Sequence, residues 1–199
     1  ATNDAGSGMA QALGVRLLDR HGRDIGFGGR ALRQLEHIEM DGIDERVAKS
    51  TFSIACDVNN PLTGPEGASV VYGPQKGATQ SMVRELECAL NRFETIVLRD
   101  LGINISRAVG GGAAGGLGAG LIAFLNASLT SGVDIVFDAI GLDKHLIDAD
   151  LVITGEGCLD YQTVFNKAPI GVARRAADKS IPVVAIVGSL GDGFAKVHE

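Results

Sequence analysis

The sequence predicts an α/β fold that contains parallel βαβ units. In the last third of the 199 residues, strand-like apolar runs alternate with helical segments, and several of the runs end in glycine. Hydrophobic residues make up 45% of the chain and charged residues 21%, which suits a packed core rather than a disordered chain. Between 78 and 99, apolar residues recur every three or four positions, as one face of a helix requires.

The first half of the chain is predicted to contain short elements joined by glycine-rich loops. Thr2 or Asn3 can cap an opening helix over 1–13, which Gly14 would end. Asn-Pro and Gly-Pro pairs predict a loop at 59–65. The other predicted elements are strands at 15–18, 52–56 and 70–72, a turn at 19–22, a glycine connection at 26–29, a short helix at 31–37 and the helix at 78–99.

A glycine run dominates the middle of the chain. Seven glycines fall between 110 and 120, ahead of apolar residues with helical spacing. Glycine in a helix costs about 1 kcal/mol relative to alanine, so the run indicates a backbone that must be approached closely by a phosphate or by another helix, or else a mobile loop. The remaining predicted elements are helices at 114–129, 143–147 and 170–179 and strands at 135–137, 151–153 and 182–187.

Composition argues against several classes of partner. The net charge is −6 and no basic stripe is visible, which argues against nucleic acid. The longest nearly apolar run, 113–125, is shorter than the roughly 20 residues that span a bilayer, so no membrane partner is expected. Three cysteines without metal-ligand spacing fit a reducing cytoplasm. Because the chain begins at Ala1, it is expected to be processed or an excerpt.

Five loops combine glycine with ionisable residues and are the predicted ligand-binding segments: 1–6, 56–62, 73–78, 110–116 and 154–167. Lys76, between glycines and ahead of a helix, could place an ammonium group beside transferring phosphates, or it could be a solvated surface lysine. The same two interpretations apply to Lys167.

Several carboxylates in these loops have a catalytic and a structural interpretation. Asp57, beside Asn59, could hold Mg²⁺ or a substrate hydroxyl, or form a turn before Pro61. Glu156 and Asp160 could hold Mg²⁺ or act as a base, or serve as ordinary caps. Asp4 could cap its helix or face the site.

Common nucleotide and hydrolase motifs are weak or absent. Gly110-x-Gly112-x-x-Gly115 matches the dinucleotide fingerprint formally, but any run so rich in glycine would match it. No acidic residue follows at the end of a strand about 20 residues later, which disfavours a Rossmann-type oxidoreductase. A Walker loop and a GxSxG elbow are missing, and Cys158 is interpreted as an unreactive thiol.

Taken together, the five segments resemble the type I glycerate kinase family. The matching segments are Ala-Thr-Asn-Asp-Ala-Gly at 1–6, Cys-Asp-Val-Asn-Asn-Pro-Leu at 56–62, Gly-Pro-Gln-Lys-Gly-Ala at 73–78, Gly-Gly-Ala-Ala-Gly-Gly-Leu-Gly-Ala-Gly at 111–120 and Val-Ile-Thr-Gly-Glu-Gly at 152–157 with Asp160, Gln162, Thr163 and Lys167-Ala-Pro-Ile-Gly. The resemblance implies that ATP phosphorylates D-glycerate with Mg²⁺ in the cytoplasm, and that a homo-oligomer is possible.

The resemblance also implies a two-lobed glycerate-kinase-like architecture with the site in the cleft between lobes. The predicted lobes are 1–146, which binds substrate and phosphate, and 147–199, a Rossmann-like βαβ portion. Family members are longer at both ends, so the chain is expected to be an excerpt of a longer one. Cys158 and Asn166 depart from the family pattern, which puts one phosphate contact and one turn in question.

The motif positions, with roles assigned from chemistry, give a set of predicted site residues. The catalytic candidates are Asp4, Asp57, Lys76 and Lys167, with the lysines neutralising charge on the transferred phosphoryl group. The metal ligands would be Glu156 and Asp160. The substrate- and phosphate-binding candidates are Asn3, Asn59, Gly110, Gly111, Gly112, Gly115, Gly116, Gln162 and Thr163. The alternative function is a non-catalytic or incomplete domain that binds a small anion or a nucleotide.

Overall fold

The computed structural model describes residues 2–160 and 167–195, so the predicted site residues Gln162 and Thr163, and Asn166, lie outside the described residues. The helices are α1 (Ser7–Ala12), α2 (Glu45–Ala48), α3 (Ala68–Tyr72), α4 (Gln80–Leu101), α5 (Ala113–Leu125), α6 (Gly132–Ile140), α7 (Leu142–Leu146) and α8 (Ala168–Ala177). The strands are β1 (Arg16–Leu18), β2 (His37–Glu39), β3 (Ser53–Ala55), β4 (Ser128–Thr130), β5 (Val152–Leu159) and β6 (Val183–Leu190). Short 3₁₀ helices cover Gly29–Gln34 and Pro74–Lys76.

The chain divides into two compact units, Ala1–Leu129 and Thr130–Glu199. The lobe boundary that the sequence suggests, between 146 and 147, stays a prediction. Strands pair as β1 with β2, β3 with β4 and β5 with β6. The β1–β2 pair is antiparallel and the β5–β6 pair is parallel. These pairings confirm a mixed α/β fold.

Helix α4 organises the core of the first unit. The hydroxyl of Thr79 accepts a hydrogen bond from the Met82 amide at 3.3 Å, which caps the start of the helix, and Gly102 ends it in a left-handed conformation. Phe93 is fully buried on the inner face, and its ring centroid lies 5.9 Å from that of Phe124 on α5. The predicted helix is confirmed because its apolar repeat persists over many turns.

The predicted strands at 70–72 and 135–137 are wrong, because these residues lie in α3 and α6. Three consecutive β-branched or aromatic residues are too few to distinguish a buried strand from a buried turn of helix. The opening helix also starts later than predicted, at Ser7. Ala5 and Gly6 have positive φ angles of 51° and 72°, which a right-handed helix cannot include.

The second unit contains the predicted βαβ arrangement. β5 and β6 run parallel with α8 as their connecting helix, in a register that pairs Val152 with Val183. Arg175 on α8 forms ion pairs with three carboxylates of α6 and α7 and lies 5.4 Å from the ring centroid of Phe137. Its hydrogen bond to Asp138 raises the pKa of Arg175 further above its ordinary value. These contacts hold α8, and therefore its N-terminus, against α6 and α7.

Within the described ranges, the structure contains no helix that is long and apolar enough to cross a membrane.

Candidate active site

The glycine run forms a strained turn at the start of α5. Ala114, Gly115 and Gly116 have positive φ angles of 52°, 78° and 89°, so regular helical backbone begins only after them. Ala114 adopts this conformation despite its Cβ, at a cost of roughly 1–3 kcal/mol. A Cβ at Gly115 would collide with the carbonyl oxygen of Thr2. Glycine is therefore required at 115 both by conformation and by the close approach of the N-terminal segment.

Lys76 places its ammonium group against this strained turn. Its Nζ donates a hydrogen bond to the carbonyl oxygen of Thr2 at 2.6 Å and would lie 2.7 Å from a Cβ at Gly115. An ammonium group has three N–H donors. Lys76 is half-buried and forms no ion pair with any residue that the structure describes. A partly covered cation with spare donors is suited to binding an anion.

The backbone amides of the run are only partly available to a ligand. The amides at 111, 112, 113 and 116 donate to the carbonyls of residues 108, 60, 110 and 112. Among the described residues, the amides of Ala114 and Gly115 donate to no backbone carbonyl outside α5. The predicted phosphate-binding glycines, Gly110, Gly111, Gly112, Gly115 and Gly116, thus lie in one turn and are buried, whereas Ala114 between them is exposed.

Other glycines of the run serve close packing, which was the alternative interpretation. Gly112 would collide with the Pro61 carbonyl if it carried a Cβ, and Gly110 would press on the sulfur of Cys56. Both contacts bring the loop that follows β3 onto the run. Asp57 and Asn59 lie in that loop and are exposed.

Asn60 holds this loop in place, although sequence reasoning assigned it no role. Its carbonyl accepts the Gly112 amide at 2.9 Å, its Oδ1 accepts the Tyr72 hydroxyl at 2.6 Å, and its Nδ2 donates to the Glu66 carbonyl at 2.9 Å. The sequence offered one signal for this role, which is the position of Asn60 immediately before Pro61 in the segment 56–62.

Asn3 and Asp4 differ sharply in their surroundings. The Asp4 carboxylate accepts hydrogen bonds from the Gly6 amide at 3.2 Å and the Ser7 hydroxyl at 3.4 Å. These bonds close a turn ahead of α1 and are not the helix cap considered from the sequence, because Gly6 is the N-cap residue and no side chain caps the helix. Asn3 is 8% exposed, and its Nδ2 donates to the Ser69 hydroxyl at 2.9 Å. Its Oδ1 is buried without a hydrogen-bond partner among the described atoms. Asn3 therefore has an unused polar group, whereas both oxygens of Asp4 are engaged.

The second unit brings three predicted residues together. Lys167 immediately precedes α8, and its Nζ lies 3.7 Å from Glu156 Oε2 and 3.5 Å from Asp160 Oδ1. Glu156 lies on β5, and Asp160 directly follows that strand. Ligands of parallel α/β units bind at this position, outside the carboxyl end of a strand. The exposed fraction of the side chain is 16% for Glu156, 25% for Asp160 and 37% for Lys167, so solvent still reaches the cluster.

This cluster fits Mg²⁺ only as a site with few protein ligands. The described residues contain no group of three or more His, Cys, Asp or Glu side chains that could hold a metal ion. Two carboxylates are nevertheless sufficient, because Mg²⁺ keeps several waters and is commonly bound through one or two carboxylates plus substrate phosphates. Glu156 and Asp160 are the two carboxylates of this cluster, and both lie within 4 Å of the Lys167 ammonium.

Comparisons with known proteins agree with this architecture. The Glycerate kinase family model matches residues 1–199. A glycerate kinase from Halalkalibacterium halodurans is 53% identical and a glycerate 2-kinase from Escherichia coli K12 is 47% identical, each over all 199 residues and 52% of the relative's length. A solved structure from Salmonella typhimurium LT2, named provisionally as glycerate kinase 2, has a TM-score of 0.81 and 49% identity, covering 96% of this chain and 53% of that one. The chain spans about half the length of the relatives it matches. It belongs to the glycerate kinase family.

Proposed function

We propose that this chain takes part in the ATP-dependent phosphorylation of D-glycerate. The named relatives suggest the reaction, and one structural observation supports it: the Lys76 ammonium, without a carboxylate partner among the described residues, is held against the strained turn at Gly115. Phosphoryl transfer depends mostly on positioning and on neutralising anionic charge. The reaction is assigned to the cytoplasm, where ATP is available and the three free thiols stay reduced.

Each predicted site residue receives a role within this proposal. Lys76 and Lys167 neutralise anionic charge on the reacting partners. Glu156 and Asp160 hold Mg²⁺, which supplies charge neutralisation on the phosphates when bound. Asp57, exposed after β3, is the proposed base for the attacking hydroxyl. Asp4, a catalytic candidate in the sequence, is assigned here to holding the turn ahead of α1, because each of its oxygens accepts a hydrogen bond there.

The remaining candidates are proposed to bind ligand through neutral groups. The turn at Gly115 contributes backbone amides to an anion. Asn3, Asn59, Gln162 and Thr163 are proposed to hydrogen-bond the substrate or the phosphates. Asn3 is supported by its unpartnered amide oxygen.

The activity is tested by coupling ADP release to a dye-linked assay, with the phosphorylated product identified by ³¹P NMR. We expect ADP release that requires D-glycerate, ATP and Mg²⁺ together. L-Glycerate and glycerol are the controls for stereochemistry and for the carboxylate. Equal ADP release with and without D-glycerate would contradict the proposal and favour a protein that only binds or hydrolyses the nucleotide.

Replacing Glu156 with glutamine should selectively raise the Mg²⁺ concentration that the reaction needs. The change removes one of two carboxylate ligands while conserving side-chain size, and even the loss of a group that only supports a metal ligand costs on the order of 10–100-fold. We therefore expect the Mg²⁺ concentration for half-maximal rate to rise at least about tenfold, measured by titrating MgCl₂ at fixed ATP. Asp148→Asn, an exposed change in the same unit, is the matched control. An unchanged Mg²⁺ titration would remove Glu156 from the proposed metal site.

A further inference from the structure

The first unit contains a small cavity beside Lys76. It has a volume of about 210 Å³, is partly open to solvent, and is lined by residues that include Thr2, Asn3, Lys76, Met82 and Leu86. Pockets that hold drug-sized ligands have volumes of roughly 300–1,000 Å³. ATP is a ligand of that larger class, so this space, called here the Lys76 cavity, suits a much smaller molecule.

The charge of the Lys76 cavity selects for an anion. Lys76 is the one ionisable side chain among the described residues that line it. Its Nζ donates to the Thr2 carbonyl, which fixes the ammonium group at the wall and leaves two N–H donors. A carboxylate could accept hydrogen bonds from these donors, and a charge-assisted hydrogen bond is stronger than a neutral one.

The cavity also offers a polar group that suits a hydroxyl. Asn3 lines the cavity, is 8% exposed and is anchored by its hydrogen bond to the Ser69 hydroxyl. Its other amide atom is buried without a partner among the described residues. The accessible surface of that atom is below 1 Å², so a ligand hydroxyl reaches it only when the Asn3 side chain turns toward the cavity. A hydroxyl then suits either orientation of the amide, because it both donates and accepts.

We propose that the Lys76 cavity binds the phosphoryl acceptor, a three-carbon hydroxy acid, with its carboxylate on Lys76 and a hydroxyl on Asn3. Met82 and Leu86 provide an apolar wall for the carbon atoms, and the nucleotide binds outside this cavity. The inference rests on the proposed function, which makes D-glycerate the acceptor. The inference assigns Lys76 to the carboxylate of the acceptor. The sequence suggested instead that Lys76 neutralises the transferred phosphoryl group, and that role is now assigned to Lys167.

The assignment is tested by calorimetric titration of the intact enzyme with D-glycerate in the absence of nucleotide. A charge-assisted hydrogen bond contributes enough that Lys76→Met should raise the Kd by about tenfold or more. Lys76→Gln provides a second variant, and Lys49→Met, an exposed change on the same unit, should leave the Kd unchanged. Propionate, which lacks the hydroxyls, should bind more weakly than D-glycerate, and glycerol should not bind measurably.

The opposite results would overturn the assignment. These are an absence of D-glycerate binding, a Kd within about twofold of the parent in a folded Lys76→Met or Lys76→Gln chain, or displacement of D-glycerate by a non-hydrolysable ATP analogue. Failure of the proposed function has a different signature. D-Glycerate would then bind with the expected dependence on Lys76, but the intact enzyme would form no phosphoglycerate.

Discussion

Replacing Lys76 with methionine in the intact enzyme should lower kcat/KM for D-glycerate by on the order of 10²-fold or more. Methionine approximates the length of the side chain but removes its positive charge, so an anion bound there loses its strongest partner. A factor of 10² corresponds to about 3 kcal/mol, which is the scale of one strong electrostatic contact in an active site. The measurement is initial-rate kinetics with D-glycerate and ATP varied independently.

The pattern of the kinetic effect is as informative as its size. Because Lys76 is assigned to the acceptor, the KM for D-glycerate should rise while the KM for ATP changes little. Lys49→Met is the matched control, since Lys49 pairs with Glu45 on the surface of the same unit. A loss smaller than about threefold would remove Lys76 from the reaction.

Gly120→Ala should destabilise the first unit by about 2 kcal/mol, although alanine is the better helix former. Gly120 lies inside α5, where helix propensity alone favours alanine by about 1 kcal/mol. A Cβ at this position would, however, collide with the carbonyl oxygen of Ala5 and approach Gly6 Cα to 3.3 Å. Both neighbours are backbone, which cannot rotate away, and overpacking of this kind costs roughly 1–3 kcal/mol. Urea unfolding followed by circular dichroism measures the change.

Whether Gly120→Ala lowers or raises the free energy of unfolding shows whether Gly120 serves close packing. Gly26→Ala is the control, because Gly26 is exposed and a Cβ at that position would meet no other atom within 4 Å. That change should shift the free energy of unfolding by no more than about 1 kcal/mol. If Gly120→Ala proved stabilising, close packing between α5 and the Ala5–Gly6 turn could not explain the glycine.

Secondary structure was predictable where the sequence pattern is long. Helix α4 follows from an apolar repeat over many turns, and the β5–α8–β6 unit follows from apolar runs separated by a helical segment. The short runs at 70–72 and 135–137 fit a strand or a helix equally well, and only tertiary packing decides between them. In α6, Phe137 is buried beside Gly171 of α8, a contact that no local pattern specifies.

The candidate site was predictable where its parts lie close together along the chain. The sequence placed Glu156, Asp160 and Lys167 in one loop, whereas in the structure Glu156 lies on β5, which extends to Leu159. Their proximity is confirmed, because both carboxylates lie within 4 Å of the Lys167 ammonium. The contact between Lys76 and the Thr2 carbonyl joins residues that are 74 positions apart. Their proximity depends on the fold of the whole unit, as does the unpartnered oxygen of Asn3.

The most direct measurement of the central claim is a crystal structure of the intact enzyme with D-glycerate and a non-hydrolysable ATP analogue. We expect Lys76 Nζ to lie within hydrogen-bond distance of a glycerate carboxylate oxygen and the phosphates to lie outside the Lys76 cavity. Glycerate bound away from Lys76 and Asn3, with the turn at Gly115 touching neither ligand, would contradict it.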